Sequence, residues 1–459
     1  MVTSPRIISG QAQPIDTPLQ APSRPGGQGE RPPAIGFAPN DARRRVDEHL
    51  IVERLLLNGW SFETRAGGRA GAEGEVRASI DRLVAVGLGF VRGPDGARLF
   101  DPFEVINVME WAGRAHGDPF WEDCSVVTAR RLVLEQHGLA HAPGAKPPSA
   151  GALGPRRFQV RFSREFSLAG RSPGARTRLR LPLPIENGAL ADLVVKVRAA
   201  PDLRPTFTTG AGRLDAVVTT PEAATVAIDY EASFTAYPST HAADASPLPA
   251  AERALYTRPN EGFAQVSEPV RRLAAALAGE AADDWSVVRR FWDYAMDTLS
   301  CGCVHYDMLD PARPLDWVIE NGWFDCQLGS ALIVALCRAR SIPARMVSGF
   351  VPYPTAPCFH YWLDVWIEGR GWTSLDLLGW DLSGGGQDAA WRDHYLGEVD
   401  YRMKTECLPR IFNSGVHARF PKVWHSRSRL TDDGTEVAFH DTATGALIYR
   451  DRIAVAVEA

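Results

Sequence analysis

The spacing of hydrophobic residues changes along the chain and separates regions of different predicted structure. Between residues 41 and 141, apolar residues recur every three or four positions, which predicts a helical domain. Between residues 156 and 245, apolar and polar residues alternate, as at Phe158, Val160 and Phe162, which predicts a β-sandwich-like domain. Neither region contains a recognisable cluster of reactive side chains, so we expect packing, partner contact or scaffolding there.

The remaining regions complete a predicted α+β fold. Residues 248–420 combine helical and strand patterns and are expected to form the catalytic domain. Residues 421–459 contain short strand patterns and are interpreted as a C-terminal β-strand extension. Residues 1–40 are rich in Pro, Gly, Gln and Ser, which predicts a disordered tail.

Composition excludes some functions and favours a location. The chain has 55 acidic and 50 basic residues, so its charge gives no reason to expect nucleic acid or an anionic membrane as a partner. The longest apolar run, Ala331–Cys337, is far shorter than the roughly 20 residues that span a bilayer. No signal peptide is predicted, and the seven cysteines have no regular spacing. We therefore expect free thiols and a cytoplasmic protein.

Cys326 is predicted to open an amphipathic helix. Apolar residues after it lie at the offsets of one helical face, and the helix should end before Pro343. The first turn of a helix offers unpaired N–H groups and the positive end of the helix dipole, which favour a thiolate. Asp325 is the expected N-cap. Because its charge opposes a thiolate, we expect an imidazolium nearby as the compensating cation.

A predicted β-hairpin carries His360 and Asp376. His360 begins an aromatic strand and shares its more polar face with Asp364, while residues 368–371 form a tight turn. An odd number of loop residues would place Asp376 on the face of His360, opposite it or one diagonal step away. An even number would place it on the wrong face.

A thiol, an imidazole and a carboxylate in contact make a nucleophile near neutral pH. The imidazole accepts the thiol proton, and the carboxylate orients the imidazole. Each residue alone has an ordinary structural interpretation: a small core cysteine, a hydrogen-bonded strand histidine, and a capping or turn aspartate. Only the combination of Cys326, His360 and Asp376 predicts catalysis.

Residues 325–376 resemble the transglutaminase-like superfamily, which has the papain-type cysteine fold. The order Cys, His, Asp and the spacings of 34 and 16 residues are similar to those of bacterial members. The segment from Tyr395 to Arg402 also resembles the one that closes such domains. The other motifs that carry the resemblance are Cys326 at the start of a helix, Arg338–Arg345, Val347-Ser348-Gly349-Phe350, His360 with its aromatic strand, and Gly371–Asp376.

The resemblance implies a Cys-bearing helix packed on an antiparallel sheet, and it implies roles for three residues. Cys326 would be the nucleophile, His360 the general base and Asp376 its orienting partner, with a thioester intermediate and neither cofactor nor metal. The reaction would transfer an acyl group from a glutamine-like carboxamide or a thioester to an amine, forming an amide. One variant is a biosynthetic enzyme whose substrates are carried by a protein. The alternatives are a cysteine hydrolase or peptidase with the same triad, and a non-catalytic binding protein that keeps the fold.

Other residues could share or replace these roles. The backbone N–H of Cys326 is the natural oxyanion donor, and Trp292 is either an indole donor or a core residue. His394 could compete as the base, although it lacks a strand context. Asp364 could replace Asp376, although it is only four residues beyond His360 on the same strand.

The segment Cys301-Gly302-Cys303-Val304-His305 contains three potential metal ligands, two cysteines and one histidine. A structural zinc site needs four ligands, and the neighbouring sequence supplies no fourth. Free thiols are therefore the preferred interpretation.

Overall fold

The computed structural model describes two compact units, which are treated one at a time. The first comprises residues 1–145 and 381–389, and the second comprises residues 146–380 and 390–459. The predicted tail, residues 1–40, lies outside the described residues. These are 46–49, 51–52, 68–100, 105, 108–109, 153–168, 172–174, 176–186, 189–199, 203, 205–210, 212–219, 221, 225–238, 247–301, 309–310, 312–352, 357–377, 393–408, 435–438 and 449–458.

The described part of the first unit combines a helix with a small sheet. Helix α1 spans Gly68–Val86, and its buried residues Val76, Ile80 and Leu83 follow the predicted helical spacing. The helical pattern did not predict the sheet, because its strands have only two or three residues and cannot show a clear alternation. They are β1 (Val46–Asp47), β2 (Val91–Arg92) and β3 (Arg98–Phe100), in the antiparallel order β1-β3-β2.

The second unit contains the other elements. Its helices are α2 (Ala250–Tyr256), α3 (Glu268–Ala278), α4 (Asp284–Thr298), α5 (Pro314–Asn321) and α6 (Cys326–Ala339). Its strands are β4 (Arg156–Ser167), β5 (Arg176–Pro182), β6 (Leu190–Ala199), β7 (Thr206–Gly210), β8 (Arg213–Thr219), β9 (Thr225–Ala236), β10 (Asn260–Glu261), β11 (Ala264–Gln265), β12 (Ser300–Cys301), β13 (Trp323–Phe324), β14 (Ala344–Val351), β15 (Cys358–Ile367), β16 (Gly371–Leu375), β17 (Met403–Leu408), β18 (Thr435–Ala438) and β19 (Tyr449–Val457). Within the described chain, no helix is long and apolar enough to span a bilayer.

Two antiparallel sheets form a sandwich with one shared core. Their strand orders are β18-β19-β4-β9-β6 and β5-β8-β7. Alternate residues of β4, β5, β8 and β9 enter the core, including Phe158 and Phe162 from one sheet and Leu179 and Leu214 from the other. The C-terminal strand β19 pairs along β4, with Val457 beside Phe158. Residues from the end of the chain therefore complete the larger sheet.

The remaining large sheet carries a buried helix. Its antiparallel order is β16-β15-β14-β17, and α6 packs against β14 and β15. Every residue from Gln327 to Arg338 is buried, because α3, α4 and α5 contact the sides of α6 that the sheet leaves uncovered. This is the α+β arrangement that the sequence predicts, with the Cys-bearing helix on an antiparallel sheet.

Local sequence fixes the ends of the surrounding helices. The Ser267 side chain accepts a hydrogen bond from the Val270 N–H at the start of α3, and Asp283 caps α4 in the same way. Helix α5 ends at Gly322, whose φ of 62° is the left-handed conformation that glycine adopts without strain. These ends set the lengths of the helices around α6.

The sandwich and the α6-bearing sheet share hydrophobic residues. Phe350 of β14 and Met403 of β17 belong to the core cluster of the sandwich. The rings of Phe162 and Phe350 are 5.7 Å apart, and the Tyr401 hydroxyl donates a hydrogen bond to the Gly154 carbonyl at 2.6 Å. The sandwich therefore supports one side of the sheet that carries the candidate site.

We predict that Gly349→Ala destabilises the protein by about 1–3 kcal/mol through overpacking. A Cβ at Gly349 would lie 2.1 Å from the Met403 carbonyl oxygen and 2.8 Å from the Trp362 ring. Denaturant unfolding monitored by tryptophan fluorescence measures the loss. The matched control is Gly74→Ala, since a Cβ there meets no atom within 4 Å. Equal stability of the Gly349→Ala variant and the parent protein would contradict the prediction.

Candidate active site

Cys326 lies at the first position of α6. The Asp325 side chain caps this helix by accepting a hydrogen bond from the Leu328 N–H at 2.8 Å, as the sequence predicts. The Ser330 hydroxyl donates to the Cys326 carbonyl at 2.6 Å one turn later. Cys326 is half-buried and forms no disulfide with the described cysteines. Its thiol therefore combines access to solvent with the positive end of a helix dipole.

The other cysteines with described side chains are poorly suited to act as nucleophiles. Cys337 is buried inside α6, and Cys407 lies on β17. Burial raises the pKa of both thiols above the ordinary value. A buried thiol with a raised pKa stays protonated near neutral pH, so neither competes with Cys326 as a thiolate.

His360 and Asp376 are in direct contact. The loop between β15 and β16 has three residues, 368–370, and Leu363 pairs with Leu375. This register places Asp376 one diagonal step from His360 on the same face. His360 Nε2 lies 3.0 and 2.9 Å from the two carboxylate oxygens, and the side chains are only 5% and 1% exposed. The carboxylate thus holds Nε2 and leaves Nδ1 as the nitrogen available to a thiol proton.

The first turn of α6 packs on the segment that carries Asp376. A Cβ at Gly329 would lie 2.9 Å from the Leu377 side chain and 2.4 Å from the Phe324 ring. Glycine at this position therefore permits a close approach between α6 and the residue after Asp376. The first turn of α6 therefore lies next to the residue after Asp376, and α6 packs on the strand that carries His360.

Two further charged residues extend the His360–Asp376 pair. Arg402 donates from Nη2 to Asp376 Oδ2 at 2.8 Å, and its Nη1 donates to the Asp400 carboxylate. All three of these side chains are at most 2% exposed. No sequence pattern predicts a role for Arg402, although it lies in the segment that resembles the end of transglutaminase-like domains.

Trp362 packs beside both the histidine and the arginine. Its ring centroid lies 6.0 Å from that of His360 at an interplanar angle of 24°, and the Arg402 guanidinium carbon also lies 6.0 Å from it. The indole therefore helps to fix the positions of His360 and Arg402.

Asp364 belongs to a separate buried network of hydrogen bonds and ion pairs. Its Oδ2 accepts hydrogen bonds from Lys404 at 2.7 Å and Arg345 at 3.0 Å, and its Oδ1 accepts from Ser374 at 2.6 Å. Burial raises the pKa of this carboxyl, but the charges of Lys404 and Arg345 outweigh burial and lower the pKa to about 2. Asp364 is therefore engaged as a structural anion and is not directed at His360.

His394 is a weak candidate for the base. Burial, followed by the positive charge of Arg402, lowers the pKa of His394 to about 4. An imidazole with so low a pKa is neutral at pH 7 and accepts protons poorly. His360 is the better base, because a carboxylate orients its ring.

Trp292 and the Cys301–His305 segment are the last two candidates from the sequence, and the structure describes only the Trp292 side chain. Trp292 is fully buried on α4, and its indole nitrogen has no hydrogen-bond partner in the described structure. The side chains of the Cys301–His305 segment lie outside the described residues. Among the side chains that are described, no group of His, Cys, Asp and Glu could hold a metal ion.

Comparison with known proteins gives a family match and distant structural similarities. A model of the transglutaminase-like superfamily core matches residues 271–377, which include Cys326, His360 and Asp376. No curated protein sequence matches the chain. A candidate cysteine protease from Cytophaga hutchinsonii is 14% identical with a TM-score of 0.44, over 67% of this chain and 92% of that one.

Two further solved structures are similar over about half of this chain. The periplasmic domain of TgpA from Pseudomonas aeruginosa is 15% identical with a TM-score of 0.27, over 51% of this chain and 93% of that one. Red sea bream transglutaminase is 10% identical with a TM-score of 0.25, over 50% of this chain and 54% of that one. These scores are too low to carry an argument about activity, so the assignment depends on the sequence match. The match assigns residues 271–377 to the transglutaminase-like superfamily core.

Proposed function

We propose that this protein is a cysteine acyltransferase that forms amide bonds through a thioester on Cys326. The observation that supports it most is the buried contact of His360 Nε2 with both oxygens of Asp376, on a sheet that packs against the helix of Cys326. Burying an imidazole and a carboxylate is unfavourable unless they are paired, and this pair has the geometry of a general base with its orienting group. The half-buried thiol at the helix start supplies the nucleophile.

The first half of the proposed reaction acylates the enzyme. His360 Nδ1 takes the Cys326 proton while Nε2–H donates to Asp376. The thiolate attacks the carbonyl carbon of a carboxamide or thioester donor. When the tetrahedral intermediate collapses, the bond to the leaving group breaks, and the imidazolium returns its proton to the departing ammonia or thiol. The thioester remains on Cys326.

The second half transfers the acyl group to an amine. The amine attacks the thioester carbonyl, His360 accepts its proton, and the C–S bond breaks to release the amide and the thiolate. The Cys326 backbone N–H is the proposed oxyanion donor. The buried indole N–H of Trp292, which has no hydrogen-bond partner among the described residues, is a second candidate, since an oxyanion would satisfy it.

The proposed partners follow from this chemistry. They are a glutamine-like carboxamide or thioester donor and an amine acceptor, either of which can be carried by a protein. The mechanism needs no cofactor. A nucleophilic thiol must stay reduced, so we propose a cytoplasmic setting. Water could replace the amine without any change in the triad, and the acceptor must therefore be tested directly.

We predict that iodoacetamide alkylates Cys326 selectively near pH 6. An ordinary thiol with a pKa of about 8.5 is less than roughly 1% thiolate at that pH, whereas a thiol that has passed its proton to an imidazole is largely thiolate. Peptide mass mapping over time measures the rate. His360→Ala is the matched variant and should slow alkylation. A rate no faster than that of an ordinary thiol would contradict the proposed activation.

We predict an order of severity among variants of the three residues. Cys326→Ala should abolish turnover without unfolding the protein, and His360→Ala should lower kcat/KM by about 10²- to 10⁴-fold. Asp376→Asn should cost less than His360→Ala, because orientation is lost while the base remains. Steady-state kinetics with an active donor measures the effects, and circular dichroism controls for folding. Turnover by Cys326→Ala equal to that of the parent protein would remove Cys326 as the nucleophile.

We predict that a labelled primary amine is incorporated into the acyl donor. Mass spectrometry of the products distinguishes the amide from the free acid. Cys326→Ala is the control for uncatalysed aminolysis. Hydrolysis without amine incorporation, over a broad range of amines, would contradict acyl transfer and assign a hydrolase.

A further inference from the structure

Asp376 binds a cationic side chain, Arg402, besides its contact with His360. Its Oδ2 lies 2.9 Å from His360 Nε2 and also accepts a hydrogen bond from Arg402 Nη2 at 2.8 Å. Its Oδ1 lies 3.0 Å from Nε2. The guanidinium therefore limits rotation of the carboxylate, and both oxygens stay directed at the imidazole.

Asp400 balances the charge of Arg402. Arg402 Nη1 donates to the Asp400 carboxylate and to the Tyr401 carbonyl oxygen, the latter at 3.0 Å. The sequence of buried groups is thus imidazole, carboxylate, guanidinium, carboxylate. Removing the guanidinium would take a cationic partner from both buried carboxylates, and removing Asp400 would take an anionic partner from the guanidinium.

The two neighbours of Arg402 in the chain are anchored in the core of the sandwich. Tyr401 belongs to the core of the sandwich, where its ring lies 5.5 Å from that of Phe158. Met403, on the other side of Arg402, belongs to the same core. Arg402 lies between two anchored neighbours, so its guanidinium position is set by the packing of the sandwich.

We propose that Arg402 is a positioning residue for the reaction at Cys326, acting through Asp376 and balanced by Asp400. Its positive charge weakens the attraction of Asp376 for the imidazole proton, and the negative charge of Asp400 partly restores that attraction. The two residues would thereby set how readily His360 exchanges its proton. This inference rests on the proposed function, because it concerns the same triad.

Three other titratable residues lie near His360, Asp376, Arg402 and Asp400, and none of them obscures a test of the charges of Arg402 and Asp400. Cys326 on α6 is removed in the experiment below. The pKa of His394 is lowered to about 4, by burial and then by Arg402, so it stays neutral above that pH. Lys404, two residues after Arg402, donates to Asp364 at 2.7 Å and belongs to that separate network.

The test measures the pH at which His360 titrates, in the Cys326→Ala background. Histidine side chains labelled with ¹⁵N are followed by NMR across a pH series, and the His360 resonance is assigned by its loss in His360→Gln. Arg402→Gln should raise the titration midpoint by about 1 pH unit, because a nearby positive charge is lost. Asp400→Asn should lower it by about 1 pH unit, because a nearby negative charge is lost.

Arg164→Gln is the matched control for general destabilisation. Arg164 forms a buried ion pair with Asp451 at 2.6 Å in the sandwich, so its loss should lower stability without moving the His360 midpoint. Arg402→Lys keeps the positive charge but loses the planar set of guanidinium donors. It should shift the His360 midpoint less than Arg402→Gln does. If Arg402→Gln fails to fold, Asp400→Asn and Arg402→Lys decide the result.

The outcomes separate this inference from the proposed function. Shifts of opposite sign in Arg402→Gln and Asp400→Asn support the positioning role, even if Cys326 never forms an acyl adduct. Midpoints equal to that of Arg164→Gln, or shifts of the same sign, would overturn it. The proposed acyl transfer would still be supported in that case if an acyl adduct is found on Cys326.

Discussion

The buried contact between His360 and Asp376 is the interaction on which the candidate site depends. Both side chains are almost fully removed from solvent, and Nε2 lies 3.0 and 2.9 Å from the carboxylate oxygens. A buried carboxylate needs a charged or hydrogen-bonding partner, and a general base needs a fixed orientation. The same contact meets both requirements. In our proposal, it also leaves Nδ1 as the nitrogen that accepts the Cys326 proton.

The sandwich acts on the site through the sheet that it supports. Phe350 and Met403 contribute to its core from β14 and β17, the two strands next to each other in the sheet of the candidate site. Tyr401 anchors the segment that brings Arg402 to Asp376. The sandwich strands carry no catalytic side chain in our proposal. Their contribution is a rigid position for the groups around the carboxylate.

Local chemistry explains what the sequence could predict. The Asp325 cap, the start of α6 at Cys326 and the hairpin of β15 and β16 all follow from residues close in the chain, whereas the odd length of the hairpin loop comes from the structure. Arg402 lies 26 residues beyond Asp376, and β19 pairs with a strand nearly 300 residues earlier. Such distant pairings have no periodic pattern, so neither the role of Arg402 nor the pairing of β19 with β4 could be predicted from spacing, although strands in the C-terminal region were predicted.

The most direct test of the central claim is intact-mass spectrometry of the protein after brief exposure to acyl donors, with acid quenching and no amine present. The account predicts a mass increase equal to the acyl group, located on Cys326 and absent in Cys326→Ala. It also predicts that the adduct disappears when an amine is added. Consumption of a donor by the parent protein with no adduct on Cys326, and at the same rate in Cys326→Ala, would contradict it.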